Sequence, residues 1–136
     1  MFGSLDISTS ALVAQRIRMD TIAGNIANAQ VTHRTDGQPG PYQRHIATVM
    51  TGNGRGGPGV HVDGVVEDNS EPDWRFEPGH PDAAKDGPHK GYVAYPNVDM
   101  STEMVDAMLA SRAYEANIAA IDVTKNMISS TLRLLV

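Results

Sequence analysis

With 136 residues, 40% of them hydrophobic, and a formal net charge of −5, the chain has room for one domain or two small modules, which excludes a large multidomain enzyme. The mild acidity argues against phosphate-driven nucleic-acid binding, which needs a clustered basic face. The absence of cysteine excludes a disulfide framework and thiolate chemistry.

No run of about 18 apolar residues is present, so no membrane-spanning helix is expected. The first basic residue, Arg16, follows Asp6, unlike the basic start of a secretory signal, and a soluble, uncleaved protein is expected. Proline and glycine divide the chain. All eight prolines lie between Pro39 and Pro96, and eleven of the thirteen glycines lie between Gly37 and Gly91. Proline removes a donor and clashes inside a helix, and glycine loses the most backbone entropy there. The chain therefore reads as helix, broken middle, helix.

From about Ser4 to Asn28, Leu5, Leu12, Met19 and Ile26 recur seven apart, supplemented by Val13, Ile17, Ile22 and Ala23, which predicts one apolar helix side. Ser4 or Asp6 would cap its start, and Asn28-Ala29-Gln30 would end it. In the middle, Tyr42 to Met50 and Val60 to Val66 are rich in β-branched residues and flank Thr51 to Gly59, which reads as a hairpin with a mobile loop. Alternation breaks at Gly64, where a bulge would restore the inward face. Trp74 to Phe76 and Gly91 to Tyr95 are two further short strand candidates.

The last segment, from about Asp99 nearly to Val136, steps alternately three and four residues through Met104, Ala107, Ser111, Tyr114, Ile118, Ile121, Lys125, Ile128, Leu132 and Leu135. That period is a coiled-coil seam. Asp99, Glu103 and Asp106 at its start, with Lys125 and Arg133 towards its end, complement the helix dipole. A seam must be buried against something, and the first helix is the nearest candidate. Unequal lengths would leave part of the longer helix bare, as an assembly or aggregation surface. The alternative is that both helices fold back across the middle as an ordinary α+β domain. The predicted class is α+β: residues 1–30 and 98–136 form a paired helical unit, and residues 31–97 form a small β-rich middle.

Five histidines, His33, His45, His61, His80 and His89, fall in that middle and suggest a small globular metal- or ligand-binding domain as the alternative function. No two come within three to five residues of each other, as short-spaced zinc pairs require. The Gly52 to Gly59 run lacks the Gly-Lys-Ser/Thr ending of a phosphate cradle. The carboxylates from Asp63 to Asp86 lie among Pro, Asn and Gly, a setting that reads as a solvated face. No Gly-x-Ser-x-Gly turn occurs. Nothing points to catalysis, a cofactor or a small-molecule substrate.

Asn25-Ile26-Ala27-Asn28-Ala29, Gly91 to Asp99 (Gly-Tyr-Val-Ala-Tyr-Pro-Asn-Val-Asp), Glu103-Met104-Val105-Asp106 and Ala110 to Asn117 (Ala-Ser-Arg-Ala-Tyr-Glu-Ala-Asn) together resemble the flagellar basal-body rod proteins, most closely the small proximal-rod members. The resemblance covers nearly the whole chain and departs from it by extra residues around Asp86 to Lys90.

It implies a non-catalytic structural subunit of the proximal rod of the bacterial flagellum, without cofactor or metal. The terminal helices would face the axis, the β-rich middle would lie outside, and copies would stack helically into a hollow drive shaft that transmits torque. It further implies export through the flagellar type III apparatus without a cleaved signal, and a periplasmic rod location. Implied partners are other proximal and distal rod subunits, rod-adapter components and membrane-ring components. The residues expected to carry assembly are Leu5, Leu12, Met19, Ile22 and Ile26, and Met104, Met108, Tyr114, Ile118, Ile121, Ile128, Leu132 and Leu135, with Ser111 on the same stripe. The amides of Asn25, Asn28, Asn97 and Asn117 would bridge subunits or cap helix ends. Arg112 and Glu115 would pair across subunits or face solvent.

Overall fold

The computed structural model describes residues 2–34, 37–54 and 56–134, the side chains of Phe2 and Leu134 excepted. The order is α1 (Phe2–Ala27), β1 (His45–Thr51), β2 (Val60–Glu67), β3 (Asp73–Phe76), β4 (Tyr92–Tyr95) and α2 (Met100–Leu134). The expected α+β arrangement of two long helices around a small β-rich middle is therefore present. Leu135 and Val136, at the expected end of the second helix, lie outside the described residues.

α1 starts ahead of Ser4, which corrects the expected cap: both Ser4 and Asp6 lie inside the helix. Its other end is closed locally by Asn28, whose Nδ2 and backbone N–H both donate to the Gly24 carbonyl, at 2.8 and 3.1 Å. α2 is capped by Asp99. One carboxylate oxygen accepts from the Ser101 N–H at 3.0 Å and the other from the Thr102 hydroxyl at 2.7 Å.

The Thr102 hydroxyl, followed by the Ser101 N–H, holds the Asp99 carboxyl below its ordinary 3.8. A depressed folded value means that the cap's contribution is complete above the unfolded carboxyl's 3.8 and is lost as pH falls through the lower value. Amide exchange at Ser101 and Thr102 should therefore accelerate in that acid window, and Asp99→Ala should remove the dependence. An acid titration with no change at those amides would contradict the cap.

The 26 residues of α1 span about 39 Å and the 35 of α2 about 52 Å at 1.5 Å per residue. They run antiparallel, with Asn25 near the end of α1 against Glu103 near the start of α2, and with Arg18 and Asp106 3.4 Å apart. α1 also touches both strands of the β1–β2 hairpin, whereas among the described residues α2 touches no strand. The hairpin register steps from Thr48 opposite Gly64 to Val49 opposite Val62, so Asp63 is extruded as a bulge beside Gly64, as alternation required.

β1 begins at His45, not at Tyr42. The intervening residues serve another purpose: the Tyr42 N–H closes a loop onto the Val31 carbonyl at 3.0 Å, and Tyr42 and Arg44 turn their side chains to the helices.

β3 and β4 pair with each other as a second antiparallel ribbon and do not extend the hairpin. The segment around Asp86 to Lys90 folds back on it: Gly91 N–H donates to the Ala84 carbonyl at 2.8 Å, and the His89 ring stacks on Trp74 at 4.1 Å. Gly91 has φ +81, and a Cβ there would lie 2.9 Å from Phe76 Cε2. Gly91→Ala should combine backbone strain with this clash, costing about 1–3 kcal/mol. A lowered urea midpoint with loss of the Phe76–Tyr92 ring contact in NMR would register it; an unchanged midpoint would count against it.

The sealed apolar core is slight: Ala14, Ile22, Ala29, Val93, Tyr95 and Ala110. The accessible surface is 9233 Å², about a third above the ~6,900 Å² expected of a compact monomer of this mass. The chain is an extended helix pair carrying two ribbons.

Candidate assembly surface and the junction behind it

One buried polar junction joins α1, α2 and the hairpin. The Asn25 carboxamide reads both backbone groups of His45, accepting from its N–H at 2.8 Å and donating to its carbonyl at 2.8 Å, as a neighbouring strand would. Its Nδ2 also donates to Glu103 Oε2 at 3.2 Å, and its Oδ1 accepts from the Tyr42 hydroxyl at 3.0 Å. Asn25 and Glu103 are each 1% exposed.

The other Glu103 oxygen takes the Arg44 guanidinium, so the buried carboxylate is paired on both sides. Since the Tyr42 hydroxyl is already donating, the 2.7 Å contact makes His45 Nδ1 its donor, and Nε2 is left facing Glu67 at 3.8 Å. Burial first, then the charges of Glu103 and Glu67, push the Tyr42 hydroxyl above its ordinary value. This junction holds the hairpin and the helix pair in one arrangement.

α2 presents two opposite faces. Glu103, Ala107, Ala110, Tyr114, Asn117, Ile121, Thr124 and Ile128 alternate four and three apart, and all are buried or half-buried. Among the described residues, α1 is the only element that α2 touches. The expected seam shares Ala107, Tyr114, Ile121 and Ile128, but its alternate positions lie one residue further round. Met104, Ile118 and Lys125 there are exposed and Ser111 is half-buried. The helix turns this way because its polar inner residues are satisfied. Glu103 has Asn25 and Arg44, Asn117 donates to the Ala113 carbonyl, and Thr124 donates to the Ala120 carbonyl.

On the far side, Val105, Leu109, Arg112, Ala116, Ala119 and Val123 repeat the same four-three rhythm, all exposed, with Met104, Met108 and Met127 flanking. Val105, Leu109 and Val123 are 54–58% exposed. α2 also outruns α1, and Lys125, Ile128, Ser129, Leu132 and Arg133 line an open hollow near its end. Further apolar side chains stand bare on the hairpin, at Ile46, Met50 and Val66, and on the ribbon, at Trp74, Phe76 and Tyr92.

Of the residues singled out from sequence, Ile22 and Asn25 are buried. Leu5, Leu12, Met19, Ile26, Asn28, Ser111, Tyr114, Asn117, Ile121 and Ile128 are half-buried. Met104, Met108, Arg112, Glu115, Ile118 and Leu132 are exposed, and Leu135 is outside the described residues. Val105, Leu109, Val123 and Met127 were missed, although a second four-three stripe is legible in the sequence; a helix apolar on both sides is one meant to be enclosed. Glu103 is read from sequence as a dipole partner and as part of the resemblance, not as a buried residue.

The histidines do not converge. His45 meets Tyr42, His61 Nδ1 meets the Gly52 carbonyl at 2.8 Å, His80 accepts from the Asp82 N–H at 3.1 Å, His89 stacks on Trp74, and His33 is exposed. Among the described residues no three His, Asp or Glu side chains gather as a metal site would require, so the metal-binding alternative finds no support. Nor is any described helix long and apolar enough to cross a membrane.

Comparison with known proteins agrees with this architecture. Residues 5–33 match the family profile described as "Flagella basal body rod protein", and residues 89–134 match "Flagellar basal body rod FlgEFG protein C-terminal". These two segments contain most of α1 and all of α2. The chain is 38% identical to the flagellar basal-body rod protein FlgC of Borreliella burgdorferi, over 99% of this chain and 97% of that one. It is 38% identical to that of Bacillus subtilis, over 98% and 97%, and 40% identical to that of Salmonella typhimurium, over 95% and 93%. With both helix segments matched and the intervening ribbons spanned, the chain belongs to the flagellar basal-body rod protein family, and it is similar to FlgC members along almost its entire length.

Proposed function

We propose that α2 is the shared wall of the rod, pairing with α1 through one face and seating a helix of a neighbouring subunit against Val105, Leu109 and Val123. As a family member the chain is a structural rod subunit, not an enzyme, and it associates with other rod subunits in the periplasmic rod. The bare second stripe of α2 carries the proposal: four-three apolar spacing is the pattern of a helix-to-helix seam, and α1 occupies only the opposite side.

Contacts of this kind that do not close on themselves propagate into a helical assembly. Ile128 and Leu132 on the overhang extend the contact axially, and Met104, Met108 and Ile118 widen it. Arg112 and Glu115, both exposed, supply charge at its centre. Leu5, Leu12, Met19 and Ile26, half-buried in the single chain, complete their burial against further helices. The ribbons lie outside the helical wall.

The finer placement follows the same reading: a proximal-rod position transmitting torque, adapter and membrane-ring components below, distal subunits beyond, and export by the type III apparatus without signal cleavage. The test is Val105→Asp with Leu109→Asp, read by recovery of the chain in purified basal bodies and by swimming. Loss of both with continued secretion is expected; normal incorporation would overturn the proposal.

A further inference from the structure

The loop joining β1 to β2 is knitted around Asn53-Gly54. Gly52 N–H donates to the Gly59 carbonyl at 2.7 Å and Asn53 N–H to the Gly57 carbonyl at 3.1 Å. The Gly57 N–H donates to Asn53 Oδ1 at 2.8 Å, which draws electron density from the carboxamide carbon. No described group accepts from the Gly54 N–H. Gly54 has φ +72 and no side chain to shield its nitrogen.

Across the loop, the His61 ring lies against Gly54, with Nε2 3.7 Å from where a Cβ would stand. His61 Nδ1 is 2.8 Å from the Gly52 carbonyl, which only accepts, so the neutral ring carries its proton on Nδ1, leaves Nε2 as an acceptor, and lays its Cδ2–Nε2 face against Gly54. An electrophile, a nucleophile and a base are thus gathered on an exposed loop.

We infer that Asn53-Gly54 is a self-modification site, at which His61 promotes deamidation of Asn53 through a succinimide. The Gly54 amide gives its proton to His61 Nε2 through one water, and its nitrogen attacks Asn53 Cγ. The Cγ–Nδ2 bond breaks, and ammonia leaves with the returned proton. Water then opens the imide at either carbonyl, leaving aspartate or isoaspartate. The product adds one negative charge to the hairpin tip, and the isoaspartate form inserts a methylene into the backbone of the turn.

The test incubates the purified full-length chain, native and in denaturant, at mildly alkaline pH and follows each asparagine by peptide mapping with isoaspartate-specific methyl transfer. Asn69, exposed and followed by Ser70, is the internal reference. In the native chain Asn53 should convert several-fold faster than Asn69, and His61→Phe, which keeps a ring but no base, should slow it several-fold. Circular dichroism checks the fold of that variant, with His61→Gln as the substitute should Phe unfold the hairpin. Asn53 remaining intact in the native chain while the denatured chain converts would overturn the inference. An unchanged rate in a folded His61 variant would overturn the role of the imidazole.

Discussion

Asn25→Ala is expected to destabilise the chain by about 3–5 kcal/mol, since it strands a buried Glu103 oxygen and half-buried groups of Tyr42 and His45, a buried group costing ~1–3 kcal/mol and a half-buried one less. The groups left without their partner are the His45 N–H and carbonyl, the Tyr42 hydroxyl and one Glu103 oxygen. Against a typical total of roughly 5–15 kcal/mol, that is enough to release the hairpin from the helices or to unfold the molecule.

Asn28, three residues on in the same Asn-Ile-Ala-Asn stretch, offers the contrast. Its side chain closes only its own helix end, so Asn28→Ala should cost less than about 1 kcal/mol. Arg44→Ala should resemble Asn25→Ala, because it leaves Glu103 buried without its cation. Asn25→Ala and Arg44→Ala combined should cost less than the sum, since both act through Glu103. Urea denaturation of the four variants checks the set. Equal effects at Asn25 and Asn28 would remove the case for a tertiary junction.

The second large effect separates the two faces of α2. Val105→Asp with Leu109→Asp changes only exposed positions, so the single chain should unfold within about 0.5 kcal/mol of the parent. Enclosed against a neighbouring helix, however, each unpaired carboxylate costs several kcal/mol, so rod incorporation and swimming should be lost. Ile121→Asp with Ile128→Asp should behave differently. Ile121 lies on the half-buried face turned to α1 and Ile128 continues that face onto the overhang, so both the stability of the isolated chain and its incorporation should fall. Stability by denaturation and incorporation by basal-body purification therefore sort the variants into two classes. A Val105/Leu109 variant that assembled normally would show that the bare stripe is no contact.

The two long helices and the hairpin with its bulge were legible in the sequence, because proline, glycine and β-branched spacing act locally. Both helix segments also carry the residues by which the family is read. The face that α2 turns to its partner was not legible. Periodicity ranks positions by hydrophobicity, and that ranking chose Met104 and Ile118 at the alternate positions, with the polar Ser111 and Lys125 carried along by the step. The folded chain instead turns Glu103, Ala110, Asn117 and Thr124 to that side, the first two buried and the others half-buried. A carboxylate enters the core only when Arg44 and Asn25, 59 and 78 residues away in the chain, arrive to pair it.

The two ribbons show the same limit. Each strand was recognisable, but the capture of Tyr42 to Arg44 by the helices shortened β1, and the strands paired as separate hairpins. The chain's own order of residues thus determined which segments are helix, strand and turn, and which family they belong to. Tertiary structure alone decided which side of each helix is sealed and which is left for a neighbour, because that choice rests on polar partners brought together only by folding.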